Sequence, residues 1–254
     1  MPNENPEDDA PLGGTRVEGA QGEQETSLRV REMFSGIAPR YDLLNHVLSG
    51  WLDAVWRARV ARRFAAILAR PDARVLDLCC GTGDLAFALA RKGSARITGA
   101  DFSPAMLAIA QRKAVAAQST IDFIEADALH LPFADATFDL VTAAFGFRNL
   151  ANYGDGLNEI HRVLRPGGEV GILEFSEAEG RIFGALYRFY FKRILPRVGA
   201  AISGNATAYS YLPRSVGRFP APAELAAQME AAGFGEVHFA RWTGGSVMLH
   251  VGRR

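Results

Sequence analysis

Apolar positions along the chain fall into two alternating rhythms. Short runs such as Val75-Leu76-Asp77-Leu78, Ala95–Ala100, Ile121–Glu125, Phe138–Phe145 and Glu169–Phe175 have the length and density of buried strands. Between them lie longer stretches with helical spacing: Leu85 to Leu89, Ala105–Ala117 and Asn152–Leu164. Strand and helix alternating in this way predict a parallel sheet with helices on both faces. Two further strands, Gly235–Arg241 and Ser246–Val251, are joined through Thr243-Gly-Gly245 and suit an antiparallel edge hairpin. They follow a helix that Pro222 opens and Gly233 stops.

Upstream of the first strand the spacing is helical throughout. Val30, Met33, Phe34 and Ile37 share one helix face, which Gly36 and Pro39 interrupt. Tyr41–Leu48 reads as a second short helix. Leu52, Val55, Trp56, Val60, Phe64, Ile67 and Leu68 form the stripe of a third, ended by Pro71. Residues 27–70 therefore read as a helical cap, and residues 71–176 as the core beneath it. Tyr41 and Asp42, polar at a helix start, either face the site or only cap the helix. Downstream, Arg181–Arg197 interleaves aromatic and aliphatic bulk with five cations and no acid. That pattern suits either an amphipathic helix at a membrane interface or a cap helix with a solvated basic face. Ser203–Pro222 is rich in Gly, Pro and Tyr and reads as a loop or lid, so 177–222 is an insert before the closing elements of 223–254.

Composition alters this picture in one place. Lys plus Arg equal Asp plus Glu at 28 each. The balance is uneven, because residues 1–25 hold seven acids and one base. That segment has almost no large apolar residues and is expected to be a disordered tail, up to about residue 26, ahead of one domain over 27–254. Nothing in the overall charge points to nucleic acid, and no run of 18 apolar residues exists to span a membrane. The two cysteines, Cys79 and Cys80, are adjacent, and no spacing of Cys or His suggests a metal.

The candidate chemistry centres on Leu76-Asp-Leu-Cys-Cys-Gly-Thr-Gly-Asp-Leu85. A strand, a Gly81-x-Gly83 turn and a helix that Asp84 would cap make half of a nucleotide-binding unit. Gly81-x-Gly83-x-x-Ala86 with Asp101 nearly satisfies a dinucleotide fingerprint. Asp77 and Asp84, however, flank the turn with carboxylates where a pyrophosphate would need an uncrowded helix N-terminus. This environment favours the cationic amino acid end of S-adenosylmethionine, with a dinucleotide as the alternative. Asp101, at the end of the second strand, is placed to accept from ribose hydroxyls. Asp127, at the end of the third, is placed to accept from an adenine amino group beside the Ala128 amide. Asp77, Gly81, Asp101, Asp127 and Phe145 all fall at carboxyl ends of strands, where such sheets bind ligands.

Five blocks of residues bring a family into view. They are Phe34-Ser-Gly-Ile-Ala-Pro-Arg-Tyr-Asp42, the glycine-turn block, Phe145-Gly-Phe-Arg-Asn149, Arg162-Val-Leu-Arg-Pro-Gly-Gly168 with Leu173-Glu-Phe-Ser176, and Thr243-Gly-Gly245. Together the chain resembles the ubiquinone/menaquinone biosynthesis C-methyltransferases from about Ser27 to its end. Cys79-Cys80 and Ala144 depart from the family's common residues. The resemblance implies a class I S-adenosylmethionine-dependent methyltransferase: an α/β, Rossmann-like, seven-stranded and mostly parallel sheet. It implies methyl transfer to a ring carbon of a polyprenylated quinol, demethylmenaquinol before a benzoquinol. Other acceptors, or a catalytically silent role in a quinone-synthesis assembly, are the alternatives. It carries over Gly81, Thr82, Gly83, Asp101, Asp127 and Ala128 to the cofactor, with Asp77 beside them.

Such a reaction needs a quinol, and deprotonating it enriches the ring carbon. Arg148, in an apolar setting after the fourth strand, is the candidate for stabilising the phenolate, unless it pairs with a structural carboxylate. Asn149 would orient the hydroxyl or a water, and Tyr41 is one candidate proton acceptor. A prenyl tail places the substrate in the membrane; with no spanning run and no signal-peptide pattern, the protein is expected to be cytoplasmic, with peripheral contact at the inner face of the membrane. A homodimer or a complex with other quinone-synthesis enzymes is compatible with the family.

Overall fold

The computed structural model describes residues 13–17, 19–178, 180, 184–185, 187, 189–194 and 206–254. Among them, seven strands form one sheet: β1 (Arg74–Leu78), β2 (Arg96–Asp101), β3 (Asp122–Glu125), β4 (Phe138–Ala144), β5 (Leu164–Phe175), β6 (Gly235–Trp242) and β7 (Val247–Arg253). Their order is β3-β2-β1-β4-β5-β7-β6. The first five are mutually parallel, and β7 runs antiparallel to both β5 and β6. The order reverses between β1 and β4, so the crevice for a ligand opens beyond the ends of those two strands.

Alternation along each strand feeds two cores. Leu76, Leu78 and Val141 pack on one face with Leu157 and Ile160 of α7 (Tyr153–Val163). Val75, Leu140 and Leu173 pack on the other with Val60 and Phe64 and with Leu85 and Leu89. A strand buried on both faces reads as a nearly continuous apolar run, which is why the sequence pattern located these strands. The helices on the second face are α3 (Leu52–Arg63), α4 (Ala65–Leu68) and α5 (Asp84–Ala90). The expected third cap helix is thus two, divided at Phe64, whose φ of −100° and ψ of 17° leave the helical region. Ahead of them lie α1 (Gly22–Ile37) and α2 (Tyr41–Ser49), and α6 (Pro104–Ala116) follows β2. Ser103 caps α6, and Asn152 caps α7, each accepting from a backbone N–H in the first turn.

Four expectations are corrected. The N-terminal tail is ordered well before residue 26: α1 begins at Gly22, and Thr15 is buried, its N–H donating to the Leu150 carbonyl (2.7 Å). Residues 1–12 lie outside the described residues. Arg165-Pro-Gly-Gly168, whose proline and glycines predict a turn that closes the Asn152–Leu164 helix, instead belongs to β5, inside the register shift between Phe138↔Leu164 and Leu140↔Glu169. Ser203–Pro222 is not a loop or lid along its length: α8 (Ala206–Arg218) fills most of it despite Pro213. Its buried Tyr211, Ser215 and Val216 recur at helical spacing, and that packed stripe outweighs the local breakers. Asp84 does not cap α5; Gly83, with φ of 86°, does, and Asp84 is the first helical residue. The expected helix Arg181–Arg197 falls largely outside the described residues, apart from short pieces that include a π-type turn at Tyr190–Ile194. α9 (Pro222–Ala231) packs against β6 and β7.

Candidate active site

β1 delivers the chain to the switch point, and the backbone then turns sharply. Gly81 and Gly83 take φ of 54° and 86°. At Gly83 a β-carbon would come 2.7 Å from the Phe123 ring, so only glycine fits there. Asp101 holds the turn to β2. One carboxylate oxygen accepts from the Gly81 N–H (2.8 Å) and the other from the Ser103 N–H (2.9 Å). Burial pushes its pKa up to about 6, against the lowering effect of those N–H groups.

Asp77 is more deeply committed. The Thr142 hydroxyl donates to one of its oxygens (3.0 Å), while the other is buried without a hydrogen-bond partner. Burial pushes its pKa up to about 7. Asp84, by contrast, is matched by Lys113 (2.5 Å) and Arg57 (3.3 Å). The Thr82 hydroxyl donates to Asp42 of α2, which Lys113 also reaches at 3.0 Å. Asp42 therefore faces the turn and ties the cap to it. His46, Asp53 and Asp84 gather nearby, but Arg57 sits between the two carboxylates, 2.5 Å from Asp53.

Three hollows meet around this turn. One of about 60 Å³ is lined by Asp101, Phe102, Met106, Asp127, Ala128 and Leu129, with Gly81 and Asn149 on its wall. A second, of about 30 Å³, is bounded by Asp77, Cys80, Gly81, Thr82 and Leu85. The third is an apolar cavity of about 450 Å³ beneath the cap, with Phe34, Leu48, Trp56, Phe175, Tyr190 and Leu212 among its walls. Tyr41 and Phe145 line all three. Each predicted cofactor residue thus lines one of the two small hollows or, for Gly83, shapes the turn between them. Asp127 is exposed, its carboxylate accepting from the Leu129 N–H (2.9 Å). Phe102, Met106 and Leu129 were not predicted. Their one signal was position, each a few residues beyond a strand-end acid.

Arg148 lines the large cavity and is buried. Its guanidinium donates to Glu174 at the end of β5 (2.8 Å) and to the Phe145 carbonyl, and its backbone N–H also donates to Glu174 (3.0 Å). The arginine that was expected to await an anion already has one, because a buried guanidinium without a counter-charge is too costly. Its Nε is buried and has no hydrogen-bond partner. Glu174 escaped the sequence analysis as a site residue, although it stands inside the Leu173-Glu-Phe-Ser176 block. Asn149 does not line the large cavity. Its side-chain carbonyl accepts from the Tyr211 hydroxyl (3.0 Å), which is also 3.2 Å from the Thr15 hydroxyl. Burial raises the pKa of Tyr41, which keeps its hydroxyl protonated at the junction of the three hollows.

Comparison with known proteins accords with this geometry. Residues 21–254 match the profile of the ubiE/COQ5 methyltransferase family. A demethylmenaquinone methyltransferase of Thermus thermophilus is 52% identical over 223 residues, 87% of this chain and all of that protein. A ubiquinone/menaquinone biosynthesis C-methyltransferase of Geobacter sulfurreducens is 42% identical over 236 residues, covering 91% of this chain and 90% of its own. Among solved structures, a SAM-dependent methyltransferase of Thermotoga maritima superposes with a TM-score of 0.60 at 18% identity, over 87% of this chain and 98% of that one. That likeness shows the fold. The sequence match over nearly the whole chain shows more: this protein is a member of the ubiE/COQ5 methyltransferase family.

Proposed function

We propose that this protein transfers the methyl group of S-adenosylmethionine to a ring carbon of a polyprenylated quinol, demethylmenaquinol in the first instance. One observation carries the reading: two small hollows at the glycine turn, which Asp77, Asp101 and Asp127 line between them, meet a large apolar cavity at Tyr41 and Phe145. A polar cofactor and an apolar acceptor are thereby brought to one point. The names of the Thermus thermophilus and Geobacter sulfurreducens relatives point to the same acceptor class.

The residues at the turn fit the cofactor. The unpartnered Asp77 oxygen suits a cationic amino group, and Asp101 offers acceptors to ribose hydroxyls. Around Gly81 the nearest atom to an added β-carbon is a Tyr41 ring carbon at 3.9 Å, so a ligand can approach the backbone. When bound, S-adenosylmethionine supplies an electrophilic methyl group on a good leaving group.

The chain must make the ring carbon nucleophilic. A phenol with a pKa near 10 costs roughly 4 kcal/mol to hold ionised at pH 7. The Arg148–Glu174 pair is formally neutral, so it cannot supply this as a bare positive charge. It can supply the Arg148 Nε–H as a donor, and Tyr41 its O–H. A hydrogen bond to a charged group contributes about 1.5–3 kcal/mol, so two such bonds supply about 3–6 kcal/mol, a range that brackets the requirement. The hydroxyl proton and, after transfer, the proton of the methylated ring carbon pass to water. A tail-bearing substrate also implies that the protein works at the surface of a membrane; no helix among the described residues is long and apolar enough to cross one.

The test is turnover with labelled S-adenosylmethionine on reduced demethylmenaquinol, on its oxidised quinone and on a demethylated benzoquinol. Label in the reduced naphthoquinol alone is expected. Label in neither ring, with cofactor bound, would overturn the assignment.

A further inference from the structure

The corner between α2 and α3 is built against the usual rules for a soluble surface. Leu43, Val47, Trp51, Leu52 and Val55 are all exposed, Trp51 by 63%. They form two helical stripes that meet at the turn: Leu43 and Val47 on α2, then Leu52 and Val55 on α3. At the tip, Gly50 and Trp51 both take positive φ, 59° and 65°. A bulky residue in that region is held there by its surroundings. Trp51 stacks on His46, with ring centroids 4.6 Å apart and planes 9° from parallel. The indole is therefore fixed in place while remaining in the open.

This corner is also a wall of the large cavity. Val47, Gly50 and Leu52 line the cavity and are exposed outside it. The Tyr190 hydroxyl donates to the Leu48 carbonyl (2.6 Å), bringing to the corner a segment whose Phe189 and Ile194 are exposed as well. The exposed charge of α3 itself is basic. Its exposed ionisable residues are Arg59, Arg62 and Arg63, of which Arg63 pairs with Glu169 of β5 (2.9 Å), and its single acid, Asp53, is buried against Arg57 and His46. A rigid interfacial tryptophan, flanking aliphatic residues and cations behind them match the boundary of an anionic bilayer.

We propose that the α2–α3 corner, with Trp51 at its tip, is the surface by which this protein docks on an anionic lipid bilayer. Docked there, the cavity wall itself enters the acyl boundary, and a prenyl tail passes from lipid to cavity without crossing water. The proposal rests on the quinol reading for that purpose but not for its measurement.

The test uses the full chain and the variant Leu43→Ser/Trp51→Asn/Val55→Ser. These positions are exposed and none lines the large cavity; asparagine tolerates positive φ. Flotation is measured with vesicles of phosphatidylethanolamine containing a minority of phosphatidylglycerol. Binding should fall roughly tenfold or more. Turnover on a short-tailed, water-soluble quinol should be unchanged, which also reports that the variant is folded, and turnover on a long-tailed quinol in vesicles should drop. If the triple variant does not fold, Arg59→Glu/Arg62→Glu provides the second arm and should weaken binding to the anionic vesicles. Unchanged vesicle binding in a folded variant overturns the proposal. So does a change from dimer to monomer in sedimentation with vesicle binding retained, which would make the corner an interface between copies. If wild type binds vesicles through this corner yet methylates no quinol, the substrate assignment fails and the docking surface stands.

Discussion

Replacing Asp77 by Asn should stabilise the protein without ligand in a pH-dependent way while weakening its hold on the cofactor. Asp77 has an ordinary pKa near 3.8 when unfolded and about 7 when folded, because burial penalises the charged form. A carboxyl of raised pKa binds more protons folded than unfolded, so it costs stability increasingly as pH climbs from about 4 to about 7. At about 1.36 kcal/mol per unit, the cost is about 2 kcal/mol at pH 5 and about 4 kcal/mol at pH 8. Asn removes this slope. It keeps an acceptor for the Thr142 hydroxyl, and its buried amide hydrogens bring an offset of about 1–3 kcal/mol that does not vary with pH. Asp101 titrates in both proteins and cancels from the comparison. The stability difference, Asn minus wild type, should therefore grow by about 2–3 kcal/mol between pH 5 and pH 8. At about 2–4 °C per kcal/mol, that is about 5–10 °C in thermal midpoint. Calorimetric titration at pH 8 should show cofactor affinity lower by roughly tenfold or more, since a neutral amide lacks attraction for an ammonium group. Wild-type affinity should also decline from pH 7 downwards, whereas the variant's should hold until Asp101 titrates near pH 6. Parallel midpoint curves across this range would refute the account of Asp77 as a carboxylate held ready for a cation.

Four other substitutions probe the site. Arg148→Ala should lower turnover by roughly a hundredfold and also cost about 3–5 kcal/mol by stranding buried Glu174. Adding Glu174→Gln should restore stability in a denaturant titration but not turnover; recovery of both would remove Arg148 from the chemistry. Asp101→Ala should weaken cofactor binding by roughly tenfold or more, because the ribose acceptor and the tie to Gly81 vanish together. Wild-type affinity by calorimetry would show that the cofactor lies elsewhere. Gly83→Ala should cost about 2–5 kcal/mol, from positive φ and the clash with Phe123 combined. A loss below about 1 kcal/mol in urea would contradict the turn geometry.

The sheet was legible because its inner strands are buried on both faces, which leaves dense apolar runs between helical spacings. Asp77, Gly81, Asp101 and Asp127 were legible because chain direction alone puts strand ends at the crevice. What escaped depends on tertiary partners. α8 contains Pro213 and several weak helix formers, and its order comes from burying Tyr211, Ser215 and Val216. The order of residues 13–17 is no more local: Thr15 meets Leu150 and Tyr211 from far along the chain. Asp84 looks like a cap by type and position, yet Gly83 occupies that place, and the carboxylate instead serves Lys113 and Arg57. Glu174 is an unexceptional acid in sequence; only the adjacency of β4 and β5 makes it the counter-charge of Arg148.

The position of β7 has a consequence for how this protein reaches its native state. β5 is complete by Phe175, yet its second edge stays unpaired until residues 247–253 arrive, about 70 positions later. β6 pairs with β7 alone. During synthesis the parallel sheet therefore carries an open strand, with Val170, Ile172 and Leu173 beside unsatisfied backbone groups, until β7 arrives and brings β6 with it on its far edge. Assembly ends with the addition of this antiparallel pair to β5, and the newly made chain is most prone to aggregate just before that step.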